Sequence, residues 1–177
     1  FYRSIYFGTG TWNGTVTNVT STAAIVSAAK GIYLYYANNI TIANVTSTAM
    51  GSQGMGIAVD NSANNTLSNA TGISDSGVGI WLNTAVGNRI ISSNGTSNSI
   101  AGGYIYYYST DNLVQDSTFT STSNNGLLIS TNSNRNNVTN STLTSSSGTA
   151  IAVTSSSNYN RIVNCSIASQ STYALGV

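Results

Sequence analysis

A chain of 177 residues with five basic and four acidic side chains, a net charge of +1 and no histidine, proline or glutamate excludes several classes of function at once. It has no basic footprint for nucleic acid or an anionic membrane, and no apolar run near the ~18 residues that a membrane span needs. The length suits one domain, and hydrophobic residues, 40% of the chain, recur at a fixed phase among the Asn, Ser, Thr and Gly, which points to an ordered core rather than a disordered segment.

Residues 1–30 read as a divergent first turn. Ile5-Tyr6-Phe7-Gly8 resembles a landmark that recurs downstream, and Val16–Thr22 matches Ile42–Thr48 at a spacing of 26. Regular repeats fill residues 31–177. A small residue followed by an alternating apolar pair stands at Gly31-Ile32-Tyr33-Leu34, Gly56-Ile57-Ala58-Val59, Gly79-Ile80-Trp81-Leu82, Gly103-Tyr104-Ile105-Tyr106, Gly126-Leu127-Leu128-Ile129, Ala150-Ile151-Ala152-Val153 and Ala174-Leu175-Gly176-Val177, at spacings of 25, 23, 24, 23, 24 and 24. Asn136-Asn137-Val138-Thr139-Asn140-Ser141-Thr142-Leu143 lies half a repeat away from this landmark and recurs from Asn112 and from Asn160.

Fixed periodicity of this length marks a solenoid, in which each repeat buries its apolar face against its neighbours. Val, Ile, Thr and Tyr occupy the candidate strand positions, clusters of Asn, Ser, Gly and Asp separate them, and helical periodicity is absent. The expected fold is all-β: a single parallel β-helix of about seven turns, each of ~24 residues and three short strands, with rungs ~4.8 Å apart. Ile42, Leu67, Ile90, Val114, Val138 and Ile162 form an inward aliphatic column. Two Asn-rich columns flank it as a structural ladder placed toward the interior. Asn65, Asn88, Asn112, Asn136 and Asn160 precede it by two residues, and Asn44, Asn69, Asp116, Asn140 and Asn164 follow it by two. Asn suits such bends because it tolerates left-handed backbone angles and its amide can bond the Asn one rung away. Cys165 falls where Ser117 and Ser141 stand in earlier repeats, the place of a small buried residue rather than a reactive thiol.

The Asn-x-Val-x-Asn-Ser-x-Leu repeat, with Gly-Ile-x-Val half a turn away, resembles the right-handed parallel β-helix repeats of the pectate-lyase-like superfamily. That resemblance implies the scaffold far more than a chemistry. Members that cleave acidic polysaccharides carry clustered carboxylates, often for calcium, with a catalytic Arg or Lys; hydrolytic members use paired or triple Asp. Here the only carboxylates are Asp60, Asp75, Asp111 and Asp116, and no two stand one repeat apart. Glycoside hydrolysis needs two positioned carboxylates, so the chain is expected not to be an enzyme and to hold no metal or cofactor.

The surface offers four other features. Asn-x-Ser/Thr triplets are abundant, and Asn13, Asn18, Asn39, Asn94 and Asn137 are the candidate glycan acceptors outside the inner ladder. Thr-x-Thr pairs at Thr20/Thr22, Thr46/Thr48, Thr118/Thr120 and Thr142/Thr144 form an outward array similar to that of ice-binding β-solenoids, or simply a polar β-forming surface. Tyr33, Tyr35, Tyr36, Trp81, Tyr106, Tyr107 and Tyr108 form a candidate contact strip, for sugar rings or for protein. Ile5, Phe7, Leu175 and Val177 mark candidate assembly ends where unpaired rungs stack head to tail. Together with a start at Phe1 rather than Met, these features lead to the expectation of a processed, extracellular or cell-surface structural protein that polymerises with itself. The alternative is a binding module for a glycan or for ice, and a polysaccharide-degrading enzyme comes third.

Overall fold

The computed structural model describes residues 2–171 and 173–176. Those residues wind into a parallel β-solenoid of about seven turns with ~24 residues per turn and no helix. Each turn contributes to three sheets. The first sheet contains Thr15–Thr17, Arg89–Ile91, Leu113–Gln115, Asn137–Thr139 and Arg161–Val163. The second, here the Thr sheet, contains Thr20–Ala23, Asn94–Ser97, Thr118–Ser121, Thr142–Ser145 and Ser166–Ser169. The third, the Tyr sheet, contains Arg3–Phe7, Lys30–Tyr35, Ala101–Tyr106, Asn125–Ser130, Ile151–Val153 and Leu175–Gly176. Two long strands, Thr41–Asp60 and Thr66–Asn83, run through all three sheets and pair with each other, with register shifts between Ala49 and Met55.

Inward columns build the core: one on the first sheet and two on the Tyr sheet, through Ile32, Ile57, Ile80 and Leu127 and through Leu34, Val59, Leu82, Ile105 and Ile129. Val16, Ile42, Leu67, Ile90, Val114, Val138 and Ile162 pair in that order on the first sheet, as the repeat predicts. β-branched and aliphatic side chains suit this dry, pleated interior, where each packs on its counterpart one rung away.

The turns contain many buried polar groups, and among the described residues every buried side-chain nitrogen and oxygen has a partner. The column Asn65, Asn88, Asn112, Asn136, Asn160 achieves this in a repeating way. Asn112 Oδ1 accepts the backbone N–H of Asn88 at 2.9 Å and its side-chain N–H at 3.1 Å, while Asn112 Nδ2 donates to Ala85 O at 2.8 Å and to Asn136 Oδ1 at 3.0 Å. The same pattern joins Asn65 to Asn88 and Asn136 to Asn160. Buried serines form parallel rails: Ser117 Oγ accepts Ser93 N–H, Ser141 Oγ accepts Ser117 N–H, and Ser133 Oγ accepts Ser109 N–H. Half-buried Cys165 continues the rail of Ser141, its sulfur 3.4 Å from Val163 O and 3.6 Å from Val138 O.

Two sequence expectations require correction. The column Asn44, Asn69, Asp116, Asn140, Asn164 does not face the interior; all five are exposed, with φ between 48° and 53°. The left-handed corner turns each outward where a continuing strand would have pointed it in, and the side chains meet only loosely, Asn69 Nδ2 donating to Asn44 Oδ1 at 3.2 Å. The second correction is a one-residue slip. Gly103 pairs with Ile80 rather than with Gly79, so Tyr104 lies beside Trp81 and Ile105 beside Leu82. A glycine is accommodated at this inward position because the buried ring of Phe119 reaches back from the next turn and occupies the space. A Cβ on Gly103 would lie 2.5 Å from Phe119 Cδ1, and one on Gly95 would lie 2.6 Å from the same atom.

Candidate functional site

The outward face of the Tyr sheet concentrates the aromatic side chains. One column runs Tyr6, Tyr33, Ala58, Trp81, Tyr104, Leu128, Ala152. Beside it run Tyr35, Asp60, Asn83, Tyr106 and Ser130, and on the other side Arg3, Lys30, Met55, Val78, Ala101 and Asn125. Tyr104 and Tyr106 rings are 5.0 Å apart, Tyr106 and Tyr107 5.8 Å, and Tyr107 and Tyr108 4.9 Å in an edge-on arrangement. Tyr35 and Tyr36 meet edge-on at 4.6 Å.

The backbone under three of these rings is unusual. Tyr36, Tyr107 and Tyr108 have φ of 49°, 45° and 55°, whereas other rungs of this corner use Asn61 and Thr84. A bulky residue in the left-handed region costs on the order of 1–2 kcal/mol, and such outliers persist where surrounding structure holds them. All three side chains are exposed. Two corners therefore carry tyrosine where asparagine fits the backbone better.

A cleft of about 450 Å³ opens beside the middle rungs, lined by Gln53, Met55, Gly77, Val78, Trp81, Ile100, Tyr104 and Tyr106. Trp81, Tyr104 and Tyr106 are half-buried, each with part of its ring covered and part facing solvent. Of the expected contact strip, the structure brings Trp81 and Tyr106 together at this cleft and sets Tyr107 and Tyr108 at its margin. Tyr33 is displaced from the expectation of a contact residue: it is buried, stacked on Tyr6 and Tyr35 at 5.6 Å each, with Arg3 and Lys30 over its ring at 4.7 and 4.9 Å. Strand alternation made the aromatic column legible. Gln53 and Met55 were not, since they lie at the register shift within Thr41–Asp60, and neither was Ile100, which lies in the bend before Ala101–Tyr106.

Asp60 lies two rungs from Tyr106 in the same column and is 9% exposed. Its carboxylate accepts hydrogen bonds from Tyr33 Oη at 2.8 Å, Asn61 Nδ2 at 2.8 Å and Asn83 Nδ2 at 2.7 Å. Burial, then the hydrogen bond and the charge of Asp60, hold the Tyr33 hydroxyl far above the ordinary tyrosine range. Burial likewise raises Tyr104, whose hydroxyl lies 3.1 Å from Ser130 Oγ. A raised phenol pKa means that the folded state keeps its proton where the unfolded chain gives it up. Tyr33 therefore contributes stability that is fully present below about pH 10 and is lost as pH rises further. Spectrophotometric titration should show the same number of tyrosinates at pH 11 in wild type and in Tyr33→Phe, because Tyr33 is still protonated there; one fewer in the variant would contradict the arrangement.

The other carboxylates lie apart. Asp111 forms an exposed two-pronged pair with Arg135, at 2.8 and 2.7 Å, which holds its carboxyl below the usual range. Asp116 is on the outward Asn corner, where it accepts a bond from Gln115, and Asp75 is exposed. Among the described residues no three of His, Cys, Asp and Glu form a metal-binding group.

Asn13, Asn18, Asn39 and Asn94 are exposed and Asn137 is half-buried. The acceptor triplets at Asn44, Asn69, Asn140 and Asn164, set aside as inward, also face solvent. The fold itself accounts for many triplets, since the corner favours a left-handed Asn and the following strand favours an outward Thr. On the Thr sheet the outward columns are Thr20, Thr46, Thr71, Asn94, Thr118, Thr142, Ser166 and Thr22, Thr48, Ile73, Thr96, Thr120, Thr144, Ala168. Ile5 and Phe7 are half-buried against the core and Leu175 is exposed, while Val177 lies outside the described residues.

Residues 4–167 match the family described as right-handed beta helix region, and the chain belongs to that family. No curated protein and no solved structure matches it.

Proposed function

We propose that the protein is a non-enzymatic extracellular binding module whose Tyr sheet holds a glycan. The observation that carries this reading is the cleft walled by Trp81, Tyr104 and Tyr106 and bordered by tyrosines in left-handed backbone conformations. Exposed aromatic rings stack on the apolar C–H faces of sugars, and a rigid solenoid face presents them at fixed spacing with little entropy left to lose on binding. The low charge suits a neutral polymer. Asp60 is committed to three neighbours and Asp111 to Arg135, which supports binding without hydrolysis.

On a glycan array, wild type should bind a defined set of oligosaccharides and Trp81→Ala should lose at least about 1.5 kcal/mol of affinity, roughly tenfold. Equal binding by the two proteins would move the site away from this face, and no binding by wild type would end the reading.

A second use of the same surface, lateral packing against another copy in a surface fibre or sheath, is favoured by the exposed Tyr36, Tyr107 and Tyr108. It predicts concentration-dependent sedimentation that Tyr107→Ser with Tyr108→Ser abolishes, whereas a glycan-binding monomer sediments the same way at every concentration.

A further inference from the structure

The polar inventory of the cleft narrows what it holds. Gly77 is already saturated: its N–H donates to Ser74 Oγ at 2.8 Å, and its carbonyl accepts Ser97 Oγ at 2.7 Å and Ile100 N–H at 3.2 Å. The Tyr104 hydroxyl is shared with Ser130. Met55, Val78 and Ile100 supply only aliphatic surface. The side chain of Gln53, exposed at a left-handed turn with φ of 55°, has no hydrogen-bond partner among the described residues, and the same is true of the Tyr106 hydroxyl and the Trp81 indole N–H.

An unsubstituted hexose brings hydroxyls on nearly every carbon, and each one pressed against Met55, Val78 or Ile100 would lose water without gaining a partner. A methyl group there gains by leaving water. One primary amide at the rim both donates and accepts, which matches a group that has a carbonyl and an N–H of its own.

Resting on the glycan reading above, we infer that the cleft selects a sugar bearing an acetamido group. The acetyl methyl enters between Met55, Val78 and Ile100, the acetamido N–H and C=O meet the Gln53 amide, and the ring lies on Trp81. The pairing is chemical complementarity between three aliphatic side chains, one free amide and one indole, all lining a single cleft.

The test compares β-1,4-linked tetramers of N-acetylglucosamine and of glucose, which share linkage and differ in the acetamido group, by calorimetric titration of wild type, Gln53→Ala, Ile100→Ser and Trp81→Ala. A matched array of N-acetylhexosamine and hexose glycans in other linkages runs beside it. Wild type should prefer the acetylated member about tenfold. Gln53→Ala and Ile100→Ser should each reduce that ratio severalfold by weakening the acetylated tetramer more than the glucose tetramer, while Trp81→Ala weakens both to a similar degree. Equal affinity of wild type for both members of every pair overturns the inference and leaves the glycan reading standing. Binding to neither member of any pair overturns both. A preference that survives Gln53→Ala and Ile100→Ser also overturns the inference, since the acetamido group would then be recognised elsewhere.

Discussion

Replacing Phe119 with alanine is expected to destabilise the solenoid by about 4 kcal/mol, read as a fall in the urea midpoint. The ring is 1% exposed and fills more than its own rung, reaching the space left by Gly95 and Gly103 in the preceding turn. Its removal therefore leaves a cavity across two turns, and neither glycine has a side chain that can relax into it. Gly103→Ile alone should also destabilise, by roughly 1–3 kcal/mol, because its side chain would collide with that ring. The double variant should be more stable than additivity predicts, since the isoleucine restores the inward column of Ile57, Ile80 and Leu127 and fills part of the vacated space. Strict additivity of the two substitutions would contradict the interlocked packing.

The second large effect is expected at the buried amide column. Asn112→Ala removes four side-chain hydrogen bonds and leaves the backbone N–H of Asn88 buried with no acceptor. The cost should be about 3 kcal/mol. Asn112→Asp is the sharper test, being nearly the same shape. Its second oxygen would face Ala85 O and Asn136 Oδ1, both acceptors, where an amide N–H now donates, and a buried charge would be added. Aspartate should therefore be worse than alanine at neutral pH and recover part of the loss on acidification, as the carboxyl becomes protonated and regains a donor. Tolerance of aspartate at neutral pH would show that the column does not hold the turns together. Hydrogen exchange should localise both losses to the rungs of Asn88 and Asn136, because each solenoid turn couples chiefly to its neighbours.

The sequence carried the period, the sheet class and the aliphatic column of Ile42 through Ile162, because a strict repeat stacks like on like and only one phase buries every aliphatic residue. The buried Asn65–Asn160 column was legible for the same reason. The Asn44–Asn164 column was misplaced because alternation was continued through a corner, and a left-handed residue interrupts alternation. The slip at Gly103 arose because two adjacent glycines, Gly102 and Gly103, both fit the landmark. The choice between them depends on Phe119, 16 residues later in the chain, and no local pattern contains that information. Buried serines such as Ser62, Ser109 and Ser133 were lost in a chain rich in surface serine, whereas Ser117 and Ser141 were marked as buried by their alignment with Cys165. At the cleft Trp81 and Tyr106 stood in the expected strip, whereas Tyr104 was missed because the slipped landmark set it in the place of inward Ile80, and Gln53 and Ile100 contribute through a register shift and a turn whose shapes the repeat does not encode.

For a sugar ring lying on Trp81 the chain provides a direct reporter. Its two tryptophans are Trp12, 60% exposed, and Trp81 in the cleft, so Trp12→Phe leaves a single tryptophan, at the cleft, whose emission is excited apart from the tyrosines at the red edge of the aromatic absorption band. Titration of that variant with the oligosaccharide bound best on the array should shift the Trp81 emission to the blue in a saturable curve, because the ligand removes water from the half-buried indole. The midpoint should match the calorimetric affinity. An emission spectrum unchanged at ligand concentrations that saturate binding would place the glycan elsewhere and contradict its stacking on Trp81.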